Sequence, residues 1–215
     1  MTPEAVVLYL RQHPEFFEEQ VDFLASVAIP HPHGGRTVSI SERQILTLRE
    51  KGKQLEDKLR ELIEFGEQND AISEKMHRLT LALVAAADVE TVIQSLYFHL
   101  REDFAVPHTV IRLWPQWDHA QTPEFAEVSM ASRDFANSLS NPYCAAKPMV
   151  DTGEWFGETA PHLRSFAYVA LKNRETIGLL AMASEDAQRF YPEMGTLYLK
   201  RLGELAAAAL LRYLA

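Results

Sequence analysis

Apolar residues along the chain follow three patterns in succession: two short amphipathic runs, one long helical repeat, and a stretch that mixes alternating with helical spacing. The runs PEAVVLYLRQ and HPEFFEEQVDFLASVAI carry apolar groups at helical spacing, each with an early proline that the first turn of a helix tolerates. They predict two short helices. The faces Val6, Val7, Leu10 and Phe16, Phe17, Val21, Leu24 are too small for a core, so they must pack on each other or on a partner. IPHPHGG then breaks all periodicity, and its prolines and glycines predict a linker or extended turn. From Ser41, with Gln44 placed to complete a capping box, a long helix is predicted. Its heptads put Ile45, Gly52, Leu59 and Gly66 at one seam position and Leu48, Leu55, Leu62 and Asn69 at the other. After Leu62 the series resumes as Phe65, Asn69, Ile72, Met76, Leu79, Leu83, a three-residue slip in phase.

From Leu79 the helix continues to Phe104 with a break near Asp88, whose carboxylate suits an N-cap. HTVIRLW alternates and is β-branched, EFAEVS is a second short strand candidate, and SFAYVALKNRETIGLLAMAS reads as two strands joined by a polar KNRE turn. Residues 130 to 163 are mixed, with ASRDFANSLSN helical and NPY, KPMVDTG and TAPHL irregular. A final helix is expected from about Pro192, with Leu199, Leu202, Ala206, Ala209 and Tyr213 spaced as a further seam. The predicted class is α+β, an antiparallel sheet flanked by helices. The expected divisions are a helical region with its linker (1–40), a long coiled-coil helix (41–78) and a mixed domain (79–215).

Composition narrows the function. Of the 40 residues from 41 to 80, 17 are charged with signs interspersed and none is proline, which fits an exposed helix. A net charge of −9 repels a polyphosphate backbone, so nucleic acid is not an expected partner. No apolar run reaches the roughly 18 to 20 residues of a membrane span, and MTPEAVVLYLRQHPEF lacks a basic leader, so no membrane partner is expected. One cysteine closes no bridge within the chain, and a cytoplasmic location follows as the expectation.

The order of pieces in SFAYVALKNRETIGLLAMASEDAQRFYPEMGTLYLKRLGELAAAAL resembles the C-terminal half of a GAF domain. These are a strand, a polar turn, a Gly-Leu-Leu-Ala strand, an acidic loop ending in Arg-Phe and an alanine-rich helix. LTLALVAAADVETVIQSLYFHLREDFAVPHTVIRLW looks like the matching N-terminal half, so the likeness covers roughly Leu79 to Ala215. With HPEFFEEQVDFLASVAIPHPHGGRTVSISERQILTLREK before it, the whole chain resembles domain-of-unknown-function family 484, bacterial proteins with a GAF-like C-terminal domain. That resemblance implies an intracellular regulatory or sensory protein and a six-stranded antiparallel sheet, and it supplies no catalytic residue.

Among chemistry-bearing residues, Cys144 in NPYCAAKP is the one candidate thiol nucleophile, and spacing assigns it no base. Methionine sulfoxide reduction, found in some GAF relatives, needs several cysteines; attachment of a bilin needs one. His31, His33, His77, His99, His108, His119 and His162 lack metal-site spacing, and a haem on His99 or His108 is a further GAF-like option. Asp134, Asp151 and Glu154 are not spaced as an acid–base pair. Phosphate-binding glycine loops and the Asn-Lys-Phe-Asp-Glu signature of cyclic-nucleotide-binding GAF domains are absent from the sequence. If the long crossover lids the sheet, Trp114, Trp117, Trp155 and Phe156 would supply aromatic walls, while Arg133 and Arg164 would meet an anionic ligand. No metal site is expected, and no cofactor is identified. The expected function is a non-enzymatic sensory or regulatory module that binds a small molecule or a protein partner. It would act as a homodimer through Leu48, Leu55, Leu59 and Leu62 and the C-terminal helix. The alternative is a structural adaptor whose pocket has been lost.

Overall fold

The computed structural model describes residues 2–30, 37–115 and 122–214, and confirms an α+β arrangement in two compact units, residues 1–67 and 68–215. In the first unit, α1 (Pro3–Gln12) opens as its sequence requires, with Pro3 in the first turn and Thr2 accepting the Ala5 N–H. The second predicted helix is two pieces, α2 (Glu15–Glu19) and α3 (Val21–Ser26), separated where Gln20 leaves helical backbone angles. Val7 and Phe17 remain exposed. The expected linker region contains paired strands: β1 (Ala28–Pro30) and β2 (Thr37–Ser39) pair antiparallel, while the rest of IPHPHGG, including His31 and His33, lies outside the described residues.

The long helix α4 runs Ile40–Ala85, so it begins one residue before the expected cap and passes residue 78 without interruption. Its first part, up to Glu67, belongs to the first unit and its last part to the second. Apolar spacing continues throughout, but its fate differs. Leu48, Leu55 and Leu62 are 67, 71 and 65 % exposed, whereas Met76, Leu79 and Leu83 are buried in the core of the second unit.

In the second unit, Asp88 caps α5 (Val89–Glu102) as predicted, its carboxylate accepting the Thr91 N–H at 2.7 Å. Strands β3 (His108–Leu113), β4 (Tyr143–Ala145), β5 (Ser165–Lys172) and β6 (Thr176–Ser184) form an antiparallel sheet in the order β3-β6-β5-β4. Among the described residues this sheet has four strands, against the six implied by the resemblance. EFAEVS is not a strand. Pro123–Phe125 is a 3₁₀ turn, and Ser129 then caps α6 (Met130–Ser138). Strand β4 was hidden because three residues are too few to show alternation.

One face of the sheet carries Ile111, Leu113, Val169 and Leu180 against the end of α4, α5 and α7 (Leu197–Leu214). The last helix starts at Leu197 rather than near Pro192, because residues 191–194 form a turn in which the Met194 N–H bonds to the Tyr191 carbonyl. Its apolar face is spent inside the domain, with Leu202, Ala206 and Ala209 buried. Near its end, Arg212 donates to the Leu83 and Val84 carbonyls and Tyr213 to that of Ala86, satisfying acceptors that the end of α4 leaves open.

Asp103 ties α4 to α5. Its carboxylate accepts from Arg78 at 2.7 Å and lies 2.5 Å from His99 Nδ1. The Arg78 hydrogen bond, followed by that of His99, holds the carboxyl below its ordinary range. A depressed folded value means this stabilisation is complete above the unfolded carboxylate pKa, about 4, and is lost as pH falls through the folded value. Asp103→Asn should therefore lower the melting temperature at pH 7. The gap from wild type should narrow as the pH is lowered below the ordinary carboxylate range in a thermal-melt series.

Candidate functional site

The other face of the sheet holds most of the candidate residues. Alternation along β3 sends Ile111 and Leu113 to the helical side, and puts Arg112 and the following Trp114 together on the opposite one. Trp114 is anchored by its backbone N–H, which donates to the Ile177 carbonyl at 2.8 Å. Helix α6 brings Arg133 over the Trp114 ring, with the guanidinium carbon 5.5 Å from the ring centre. The 3₁₀ segment Thr152–His162 carries Trp155, and Arg112 lies over that ring at 5.4 Å. Two guanidiniums and two indoles thus stack pairwise around the end of β3.

Polar anchors hold this cover in place. Ser132 on α6 donates to the Asp151 carboxylate, while Thr152 Oγ1 and the Met149 N–H both meet the Tyr168 hydroxyl, at 2.8 and 3.1 Å. The Ser132 hydrogen bond lowers the Asp151 pKa, and burial raises that of Tyr168. Phe156 is 8 % exposed and meets Phe166 at 6.0 Å; Phe166 stacks on Tyr168, and Phe135 meets Tyr168 edge-on at 5.4 Å. Phe156 is therefore packed into an aromatic core.

Arg164 does not join the cluster. Its N–H bonds to the Ser184 carbonyl at one end of β6, whereas Trp114 bonds to Ile177 at the other. Seven residues of strand put roughly 20 Å or more between them. Trp117 lies outside the described residues.

The electrostatics are lopsided. Arg112 and Arg133 form no ion pair among the described residues. Desolvation, the largest influence, lowers the Arg112 pKa, against the attraction of Tyr97 and Glu124. Arg112 spends one N–H on the Ile111 carbonyl, and the Ile111 N–H donates to Tyr97 Oη. These bonds satisfy backbone groups at the outer edge of β3. Trp114 Nε1 is buried with no hydrogen-bond partner among the described residues. The site is thus rich in donors and poor in acceptors.

Sequence reasoning missed Arg112, although the alternation of HTVIRLW already placed it on the face of Trp114. It also missed a cleft of about 320 Å³ between α5 and the 3₁₀ turn, where Tyr97 donates to Glu124 at 3.0 Å. A second cleft, of about 210 Å³, lies beside Lys172, Lys200 and Glu204. Neither is lined by Trp114, Trp155 or Phe156.

Cys144 is buried on the helical side of the sheet, and desolvation pushes its thiol up to about 11. Only about one molecule in ten thousand then carries the thiolate at pH 7. His99 and His108 are engaged by Asp103 and by Glu185, the latter at 2.7 Å.

The family described as "Protein of unknown function, DUF484" matches residues 1–215. The uncharacterized protein YigA of Salmonella typhimurium is 24 % identical over 218 residues, covering 98 % of this chain and 91 % of the relative. YigA of Escherichia coli is 22 % identical over the same span and coverage.

Proposed function

Starting from the chain's membership of the DUF484 family, we propose that it is a non-enzymatic, cytoplasmic regulatory module that works as a homodimer. Its α4 helices pair as a parallel coiled coil, and its C-terminal unit is a GAF-like sensory domain. The observation that carries this reading is the apolar stripe of Ile45, Leu48, Leu55, Leu59 and Leu62, which is exposed along the first part of α4. Exposed pairs such as Lys58 with Glu61 at 2.6 Å contribute little to an isolated helix, so burial of the stripe has to supply most of the stability. The apolar face of α7 is occupied within its own domain, and the dimer rests on α4. No described helix is long and apolar enough to cross a membrane, and the suppressed thiolate of Cys144 supports a role without thiol chemistry.

Ligand binding would act by favouring one of two packings of α4, a population shift carried along a continuous helix. The structural adaptor is the second reading. It is favoured by Phe156, Phe166 and Tyr168, which fill part of the sheet face.

Leu48→Cys tests the pairing. In a parallel, in-register seam each new thiol meets its copy, so mild oxidation should give a covalent dimer on a non-reducing gel. Cys144 is buried and does not compete. A variant that stays monomeric after oxidation would refute parallel pairing.

A further inference from the structure

We infer that the cluster of Arg112, Trp114, Arg133 and Trp155 is a binding site for a small anion, a phosphate or carboxylate group, which enters under Arg133 and accepts the Trp114 Nε1 proton. This rests on the reading of the C-terminal unit as sensory, and it names the chemistry sensed. Three observations converge. The indole N–H is buried and has no acceptor among the described residues, a condition that native interiors rarely leave standing. Arg133, exposed and without an ion pair among the described residues, lies over that ring. Arg112, two residues from Trp114 on the same face, is partly withdrawn from water; Glu124 attracts it without forming an ion pair.

Each group is a donor, and apart from the one Arg112 N–H spent on the Ile111 carbonyl, none has a matched anionic acceptor among the described residues. An anion supplies what is missing: two oxygens for a guanidinium and one for the indole. The stacked indoles hold the guanidinium planes, so little rotamer freedom remains to be lost on binding. The N–H is closed off from solvent, and the exposed Arg133 lies over its ring.

The full chain should be titrated by calorimetry with inorganic phosphate and, separately, with succinate, at constant ionic strength in chloride. Saturable binding of either is expected below about 10 mM, and the preferred anion identifies the source. Arg133→Gln should weaken it by about tenfold or more. Trp114→Phe, which keeps a ring and removes the donor, should do likewise while the protein still melts cooperatively. Arg164→Gln should bind as wild type. Absence of saturable binding by both anions would overturn the site, as would Arg133→Gln and Trp114→Phe proteins that bind undiminished. Dimerisation, read by the Leu48→Cys cross-link, stands or falls separately.

Discussion

Leu55→Asp combined with Leu62→Asp should leave a folded chain that sediments as a monomer. Both side chains are exposed, so neither contributes to the core of the second unit, and their replacement costs the fold only a little helix propensity. In the paired state each leucine would be buried, at about 1.5–3 kcal/mol apiece. Two chains lose two leucines each, on the order of 6 kcal/mol at the lower bound, which weakens association by more than about ten-thousand-fold. Four carboxylates at the seam add repulsion. Sedimentation velocity against wild type over a concentration series decides it. A double variant that keeps the wild-type dimer would place the assembly on another surface.

The second large effect concerns two glycines where backbones approach closely. At Gly203 on α7, an added Cβ would lie 2.4 Å from Val169 Cγ1, well inside the 3.5–4 Å of normal contact. Alanine there gains about 1 kcal/mol of helix propensity, but overpacking costs roughly 1–3 kcal/mol. The clash is expected to win. Val169→Ala removes the offending atom and should recover much of the loss in the double variant. Gly178 on β6 is the stricter case, since its Cβ would meet the Arg112 carbonyl oxygen at 2.4 Å. No side-chain change can remove a backbone atom. Gly178→Ala should therefore cost about 3 kcal/mol or more, lowering the melting temperature by roughly 10 °C. Because Gly178 adjoins the Ile177 carbonyl that anchors Trp114, the same variant should also disturb the arginine–tryptophan cluster. A Gly178→Ala protein melting like wild type would show that β3 and β6 can separate there without loss.

How much of this was legible beforehand differs by residue. The alternation of HTVIRLW and the apolar runs around KNRE specified β3, β5 and β6, and Asp88 announced the start of α5 through its own carboxylate. These are local effects, settled within a few residues by side-chain direction and backbone hydrogen bonding. The two-residue period of a strand also puts Arg112 and Trp114 on one face, a signal left unused for Arg112. Trp155 stacking on Arg112 was not readable, because it depends on where the segment 152–162 crosses the sheet. Arg164 looked equivalent to Arg133 in sequence, yet strand register places it at the far end of the sheet.

The same division holds for the helices. Leu48, Leu55 and Leu62 on α4 and Leu202, Ala206 and Ala209 on α7 share one kind of spacing, and that spacing alone establishes that each helix has an apolar face. Periodicity reports the existence of a face; what covers it depends on contacts between residues far apart in the chain. Tertiary packing buried the α7 face and the Met76–Leu83 end of α4 in the core of the second unit, and left the leucines of the first part exposed.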